Sequence, residues 1–396
     1  MSNVLILGAG IYQVPLIRTA RDMGLTAMVA GSPGPYPGLA LADRVFPVNF
    51  LDLDAITAIV RENHIDAIAT AGMDLAVTTI GHVCTTCGLS GLSADAAFLV
   101  SDKWRMKQAF SRAGVRTAAF LRLPVDGGES ALLRALADGA LALPFMLKAV
   151  DNSGSRGIVK VSCAEDISRA LQLVADNTKK DYCLAEEFID GEELGAEGFL
   201  SGGELRLLLP NGKYVYQGDT NVPVGHFAPC ELSDALLQDI RLQTGRAAAA
   251  CGLDNTPINV DLLIQGDKAF IVEIAGRSGA TCLPEIVSHA CGFNYYEKIL
   301  LAALGERPDF TPVKSLAAAG HLLMPHRDGT LRAQRYAGPA SPHIRELSFD
   351  FAPGREVKKF RNGSHRCGQV VVTGETLAQA DSLLKEVLGH IQMEIS

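Results

Sequence analysis

Short apolar strands alternate with helical patterns along the first hundred residues, and this alternation restricts the fold more than any other feature. "NVLILGAG" reads as a strand, "IYQVPLIRTARDMG" as a helix and "TAMVAGS" as a strand. A Pro/Gly-rich loop, "PGPYPG", leads to "RVFPVNF"; "LDAITAIVRENH" then reads as a helix, "IDAIATAG" as a strand and "DLAVTTIGHVCTTCG" as a helix. Strands spaced by helices of this length build βαβ units and a parallel sheet. Ligands of such sheets sit beyond the carboxyl ends of the strands, which puts residues 8–13, 32–38 and 72–74 on one rim. The first turn, Gly8-Ala-Gly10, begins a G-x-G-x-x-G dinucleotide fingerprint, but Gln13 stands where the third glycine belongs. The second strand ends "VAGSPG", without the acid that a dinucleotide ribose needs. With two of three parts missing, Gly8 and Gly10 report a tight strand-to-helix turn, and Gln13 lies on a rim open to a second substrate.

The chain has 396 residues, a length for two to four domains or subdomains, and 48% of them are hydrophobic. Its 36 basic and 44 acidic residues give a net charge of −8, which argues against a non-specific nucleic-acid binder. No basic leader precedes the first strand, and runs such as "SLAAAGHLLMPH" stop short of a membrane span. A cytoplasmic chain without a membrane partner is expected. Nine scattered cysteines suit reduced thiols. Cys84 and Cys87 have C-x-x-C spacing, but no second pair follows, so they read as structural thiols at a helix end.

The texture changes after Ser101, which reads as the N-cap of the helix "SDKWRMKQAFSRAG". "LPFMLKAVDNSGSRGIVKV" is a strand ending in Lys148, a Ser/Gly/Arg loop and a second strand, not the strand–loop–helix of a Walker P-loop. Small residues in such a loop free backbone N–H groups to wrap phosphate oxygens; an ordinary hairpin turn is the competing reading. "CLAEEFIDGEELGAEGFL" gives a strand, an acidic turn and an alternating strand. "INVDLLIQGDKAFIVEIAGRSGA" gives a hairpin turning at Gly266-Asp267, with Asp261 and Glu273 on its two strands. An acid inside an apolar strand must be solvated, paired or metal-bound. Two on one hairpin suit Mg²⁺ with phosphate oxygens, or else a salt bridge to Arg277. A guanidinium at 277 suits a carboxylate or acyl phosphate. From Ala317 the tail alternates strands and turns and ends in the helix "TLAQADSLLKEVLGHI".

The order Lys103, Lys148, "NSGSRG", "EEFIDGEE", Asp261, Glu273, Arg277 resembles the ATP-grasp superfamily along the whole chain. The resemblance implies a fold that is α/β and α+β. It comprises a Rossmann-like pre-ATP-grasp domain (1–100), an ATP-grasp domain (101–320, lid about 115–185) and a small β-rich C-terminal domain (321–396). It implies ATP and Mg²⁺, with Mn²⁺ as the alternative ion, and a homodimer acting on a small-molecule carboxylate and an amine. Lys103 and Lys148 match the two ATP lysines. Ser153, Gly154, Ser155 and Gly157 match the loop over the β- and γ-phosphates. Glu186, Glu187, Phe188 and Ile189 match the adenine hinge, and Glu193 the ribose acid. Asp261 and Glu273 match the metal carboxylates, and Arg277 the arginine that steadies the acyl phosphate. One departure stands out: the family commonly has E-x-N-x-R, and here Ala275 replaces the asparagine.

The chemistry implied is phosphorylation of a carboxylate by ATP followed by attack of an amine, with Arg277, Lys148 and Ser155 on the reacting groups. His226, in "YQGDTNVPVGHFAPCELS", either orients substrate or acts as a base, or is structural. Ser278 and Gly279 are placed to grip a carboxylate, and Asp74 and Gln13 to face the acceptor. Cys282 reads as packing. A bicarbonate-dependent carboxylase of the biotin carboxylase type is the first alternative, and a non-catalytic ATP-binding regulator the second.

Overall fold

The computed structural model describes residues 2–152, 154, 156–217 and 222–396. Among these the strands form four sheets. The first contains β1 (Asn3–Leu7), β2 (Thr26–Ala30), β3 (Arg44–Phe46) and β4 (Ala67–Ala69), all parallel, in the order β3-β2-β1-β4. Val4, Leu5, Ile6 and Leu7 are all 0% exposed, as expected of a parallel strand covered on both faces. The helices Val14–Asp22 and Leu53–Glu62 supply cover. The strand order reverses beside β1, so the crevice at its carboxyl end is the rim expected from the sequence.

Gln13 occupies that rim differently from the expectation. It is 2% exposed; its Oε1 accepts from Gly10 N at 2.9 Å and its Nε2 donates to the Ala71 carbonyl at 2.6 Å. Both ends of the amide are spent on backbone, so it pins the loop after β1 to the loop after β4. Gly8 has φ +87°, and a Cβ there would meet the Met73 side chain at 2.4 Å.

A second, antiparallel sheet has β5 (Phe120–Pro124), β6 (Phe145–Lys148), β7 (Ile158–Val161) and β8 (Tyr182–Glu187) in the order β5-β8-β6-β7. The helices Gly128–Ala137 and Ile167–Ala175 bury Leu132, Ile167 and Val174 against Leu123, Phe145 and Leu147. The largest sheet contains β9 (Glu192–Ser201), β10 (Glu204–Val215), β11 (Pro223–Ala228), β12 (Thr256–Gln265), β13 (Lys268–Ala275) and β14 (Ala317–Leu323). A small fourth sheet is built on β15 (Gly329–Tyr336), which lies next in the chain. β16 (Ile344–Phe349) returns to the largest sheet, β17 (Glu356–Val357) joins β15, and β18 (Gly368–Gly374) returns again. The largest sheet thus runs β13-β12-β9-β10-β11-β14-β18-β16, and β19 (Ile391–Ile395) closes the small one as β17-β15-β19.

Two expectations need correction. The helix Lys103–Arg112 is capped by Asp102, whose side chain accepts from Arg105 N, while Ser101 bonds back to the Ala97 carbonyl. The tail does not end in a helix, because β19 follows Leu377–Gly389. β14 and β18 are buried almost throughout and extend the largest sheet. Among the described residues no helix is long and apolar enough to cross a membrane.

Replacing Gln13 with leucine would leave the Gly10 N–H and the Ala71 carbonyl buried without partners, a loss of about 2–4 kcal/mol. The expected outcome is a lower urea midpoint with unchanged KM values. Intact stability with an altered KM would return Gln13 to the substrate site.

Candidate active site

β8 ends at Glu187 and β9 begins at Glu192, yet the two strands lie in different sheets. Residues 188–191 therefore cross from the second sheet to the largest one, and the charged side chains gather on either side of this crossing. On the second sheet, Lys148 Nζ lies 2.9 Å from Glu186 Oε2. Lys107 Nζ, from the helix Lys103–Arg112, reaches the same oxygen at 3.2 Å and also donates to Thr117 Oγ1. All three charged groups are buried, with Lys107 1% exposed. Burial is the largest influence on Glu186 and pushes its pKa up, but the two ammonium groups outweigh it and hold the carboxyl below its usual range. Lys107 falls to about 8, burial again leading. Glu186 Oε1 is buried with no hydrogen-bond partner, an acceptor left open beside the crossing.

The other side of the site is one face of the β9–β12–β13 sheet. Asp261 and Glu273 are register partners because a β-bulge intervenes: the Gly266-Asp267 turn pairs Leu262 with Ile271, and the register shifts by one residue before Asp261, which brings Glu273 opposite it. Each carboxylate has its own lysine: Glu273 pairs with Lys103 Nζ at 2.9 Å and Asp261 with Lys213 Nζ at 2.7 Å. Lys213 also reaches Glu193 at 2.5 Å, so the acid at 193 and the acid at 261 share one ammonium. Arg277 takes no part in these pairs. It bonds Asp74 Oδ1 at 2.7 Å, Asn259 Oδ1 at 3.1 Å and the Ser278 carbonyl at 3.1 Å. The salt-bridge alternative read from the sequence is realised with two lysines in place of Arg277.

Gly157 has φ +69°, and a Cβ there would lie 2.7 Å from Asn177 Cβ and 2.8 Å from Ala149 Cβ, so the loop's close return needs glycine. Gly154 also has positive φ. Ser153 and Ser155 lie outside the described residues. Lys103 Nζ donates to the Asn152 carbonyl at 2.9 Å, joining this loop to Glu273 through one ammonium. Glu187 is exposed, Phe188 lies under Lys160 Nζ at 3.6 Å from the ring centroid, and Ile189 is buried.

His226 sits on β11 opposite Lys213, buried, with Nδ1 2.9 Å from the Thr281 carbonyl. Burial lowers its pKa to about 4, so the ring is neutral near pH 7 and a weak base. Thr281 and Cys282 both have positive φ, an uncommon state for side-chain-bearing residues, just before the helix Leu283–Cys291. Cys282 is buried and its thiol is pushed well up, as packing requires. Ser278 Oγ is buried without a partner, and Gly279 N donates to Glu197 at 2.9 Å. Cys84 is buried and raised to about 12 by burial. Among the described residues no cluster of three or more His, Cys, Asp or Glu could hold a metal ion.

Four partners escaped the sequence reading: Lys107, Lys213, Glu197 and Asn259. All but Lys107 carried the signal that flagged Asp261, a polar residue inside a strand; Lys107 lies one helical turn after Lys103.

An ATP-grasp domain model matches residues 141–285, and an L-amino acid ligase C-terminal domain 2 model matches residues 321–396. The D-alanine–D-alanine ligase of Azoarcus sp. is 30% identical over 229 residues, covering 54% of this chain and 69% of that protein. The chain belongs to the ATP-grasp superfamily. It is an ADP-forming carboxylate–amine ligase of that group. A phosphoribosylglycinamide synthetase structure from Anaerococcus prevotii superposes on this ligase with TM-score 0.85 at 29% identity, covering 100% of both chains. An L-amino acid ligase from Bacillus licheniformis gives 0.82 at 18% identity, covering 100% of this chain and 99% of that one, a likeness of fold.

His226 supplies a pH test of the buried site. Its folded pKa of about 4 lies below the ordinary histidine value of 6.5, so the unfolded chain takes up the proton first. Stability attributable to this ring is present above pH 6.5 and falls as pH drops towards 4, by about 3 kcal/mol. His226→Gln is expected to flatten the acid limb of a Tm-against-pH profile over that window. An unchanged limb would show that the imidazole is not buried neutral.

Proposed function

We propose that this ligase joins amino-acid-like substrates, activating the carboxylate of one with ATP and coupling it to the amine of another. The observation that carries the ATP site is the charge arrangement around the crossing at residues 188–191. Glu186 Oε1 is an unfilled buried acceptor, suited to an exocyclic amine of a purine. Lys148, Lys107 and Lys103 are fixed cations for phosphate oxygens, and Glu193 is the acid for ribose hydroxyls. Asp261 and Glu273 offer hard oxygen donors to Mg²⁺ or Mn²⁺, and the donor set fits such an ion. When bound, that ion neutralises charge on the transferring phosphoryl group.

The residues support the rest of the reaction by position and charge. A substrate carboxylate oxygen bonds to the γ-phosphorus as the bond to ADP breaks, giving an acyl phosphate. The amine nitrogen then bonds to the acyl carbon, phosphate leaves with the bonding electrons, and the amine sheds a proton. Arg277, held flat by Asp74 and Asn259, faces both the acyl phosphate and the oxyanion that follows. Ser278 contributes its unpaired hydroxyl at the substrate carboxylate, while the Gly279 N–H is committed to Glu197 and serves the site only by fixing this turn. Gly157 and its loop with Ser153, Gly154 and Ser155 act at the phosphates, and Asp74 at the acceptor. His226 positions the turn at Thr281 through its ring nitrogen. The ligase is proposed to act as a cytoplasmic homodimer.

The match of residues 321–396 to an L-amino acid ligase domain favours an amine acceptor over bicarbonate. A second reading draws on the phosphoribosylglycinamide enzymes. The formate-dependent phosphoribosylglycinamide formyltransferase of Methanocella arvoryzae is 23% identical over 397 residues, covering 96% of this chain and 89% of that protein. Phosphate release from ATP, assayed against paired L-amino acids, bicarbonate, and formate with glycinamide ribonucleotide, separates these readings. Release that requires two amino acids, with a dipeptide mass, is the expected result. Release only with the ribonucleotide or bicarbonate would overturn the amino-acid reading. Lys148→Ala should lower kcat by at least about 10³-fold by removing a fixed charge from the phosphates. Near-wild-type turnover would show that the nucleotide lies elsewhere.

A further inference from the structure

Asn259 stands directly across from Ala275 in the β12–β13 register, beside the Asp261–Glu273 pair. It is also the register partner of Glu197 on β9. Its amide makes two bonds of opposite sense. Oδ1 accepts from Arg277 Nη1 at 3.1 Å, and Nδ2 donates to Glu197 Oε2 at 3.1 Å. Glu197 is 0% exposed, and its two oxygens accept from Gly279 N at 2.9 and 3.1 Å. A guanidinium can only donate, and Glu197 Oε2, on a carboxyl that burial raises to about 8, accepts here, so the group between them must do both. Of side chains this size, an amide meets that requirement, and its orientation is fixed by its neighbours. The methyl group at Ala275 leaves the space beside Asn259 without a competing polar group.

We infer that Asn259 is a positioning residue for Arg277, holding the guanidinium plane from the sheet while Glu197 ties the same unit to the Gly279 backbone. The inference rests on the role proposed for Arg277 and names what sets its geometry. Asp74 binds Arg277 from the opposite side, from the short turn Asp74–Ala76 after β4. Arg277 is therefore clamped between a sheet and a loop of another sheet's rim. Loss of the sheet-side contact would let the guanidinium tilt towards Asp74 and away from the reacting groups. Such displacements cost up to about 100-fold in rate while leaving nucleotide binding untouched.

The test is a double-mutant cycle in the full-length ligase with Asn259→Ala, Arg277→Lys and the combination. It reads kcat, KM for ATP and Tm. Asn259→Ala is expected to lower kcat by about 10- to 100-fold with KM for ATP within about twofold. In the Arg277→Lys background the same change should cost less than about threefold, since the partner it orients is gone. Equal, additive losses in both backgrounds would overturn the inference while leaving Arg277 in place. Wild-type kcat for Arg277→Lys and Arg277→Ala would overturn both the inference and the role of Arg277. A second pair guards against misfolding: Asn259→Asp should be poorly active, and adding Glu197→Gln, which swaps amide and carboxylate, should restore kcat. Failure of that restoration in a protein with wild-type Tm would also count against it.

Discussion

The site depends on one constraint: fixed charges must be kept in a largely apolar setting without any of them standing unpaired. Asp261 and Glu273 are flanked on their strands by the buried apolar Val260, Leu262 and Ile274, and their own side chains keep 32% and 31% exposure, whereas Glu186 is buried outright. An unpaired carboxylate at Glu186 would be costly, and at the other two less so. The fold answers with Lys213 and Lys103, each drawn from a different element, and the same logic sets Lys107 and Lys148 on Glu186. The resulting surface carries balanced charge and is ready for exchange. A magnesium-bound polyphosphate can take the acids on its metal and the lysines on its oxygens, so charged partners replace charged partners.

This constraint also explains why the elements meet where they do. The helix Lys103–Arg112 projects Lys103 and Lys107 from one face, a helical turn apart, so one helix reaches both Glu273 on the largest sheet and Glu186 on the second. Asp102, its N-cap, accepts from the Tyr182 hydroxyl on β8, which ties the start of that helix to the second sheet. The rim of the first sheet contributes Asp74, which binds one edge of the Arg277 guanidinium. Tyr12, from the turn that opens the chain, reaches the Gly363 carbonyl at 3.4 Å and lies against Arg366, linking first and last regions.

Much of this was legible in the sequence where local rules act. The parallel first sheet followed from strand–helix alternation, and the hairpin carrying Asp261 and Glu273 from its two-residue turn, but their direct facing depends on a β-bulge that strict alternation does not contain. What was not legible depends on contacts distant in the chain. Lys213 meets Asp261 because β10 and β12 both flank β9, an order no local pattern contains. Glu197 in "LGAEGFL" was read as strand alternation because its donors, Asn259 and Gly279, come from remote segments. Gln13 was read as rim-facing because its partners, Gly10 and Ala71, meet only once the loops close. That β14 and β18 enter the largest sheet was not legible, because continuous apolar runs do not reveal which sheet a strand joins.

The central claim is that ATP activates the carboxylate as an acyl phosphate in this site before the amine attacks. Transfer of oxygen from substrate to phosphate tests it most directly. With the acid substrate labelled with ¹⁸O in its carboxylate, each turnover should release phosphate bearing one ¹⁸O, detected by mass spectrometry or ³¹P NMR. Amide product formed with unlabelled phosphate would show that the carboxylate is not phosphorylated and would contradict the account.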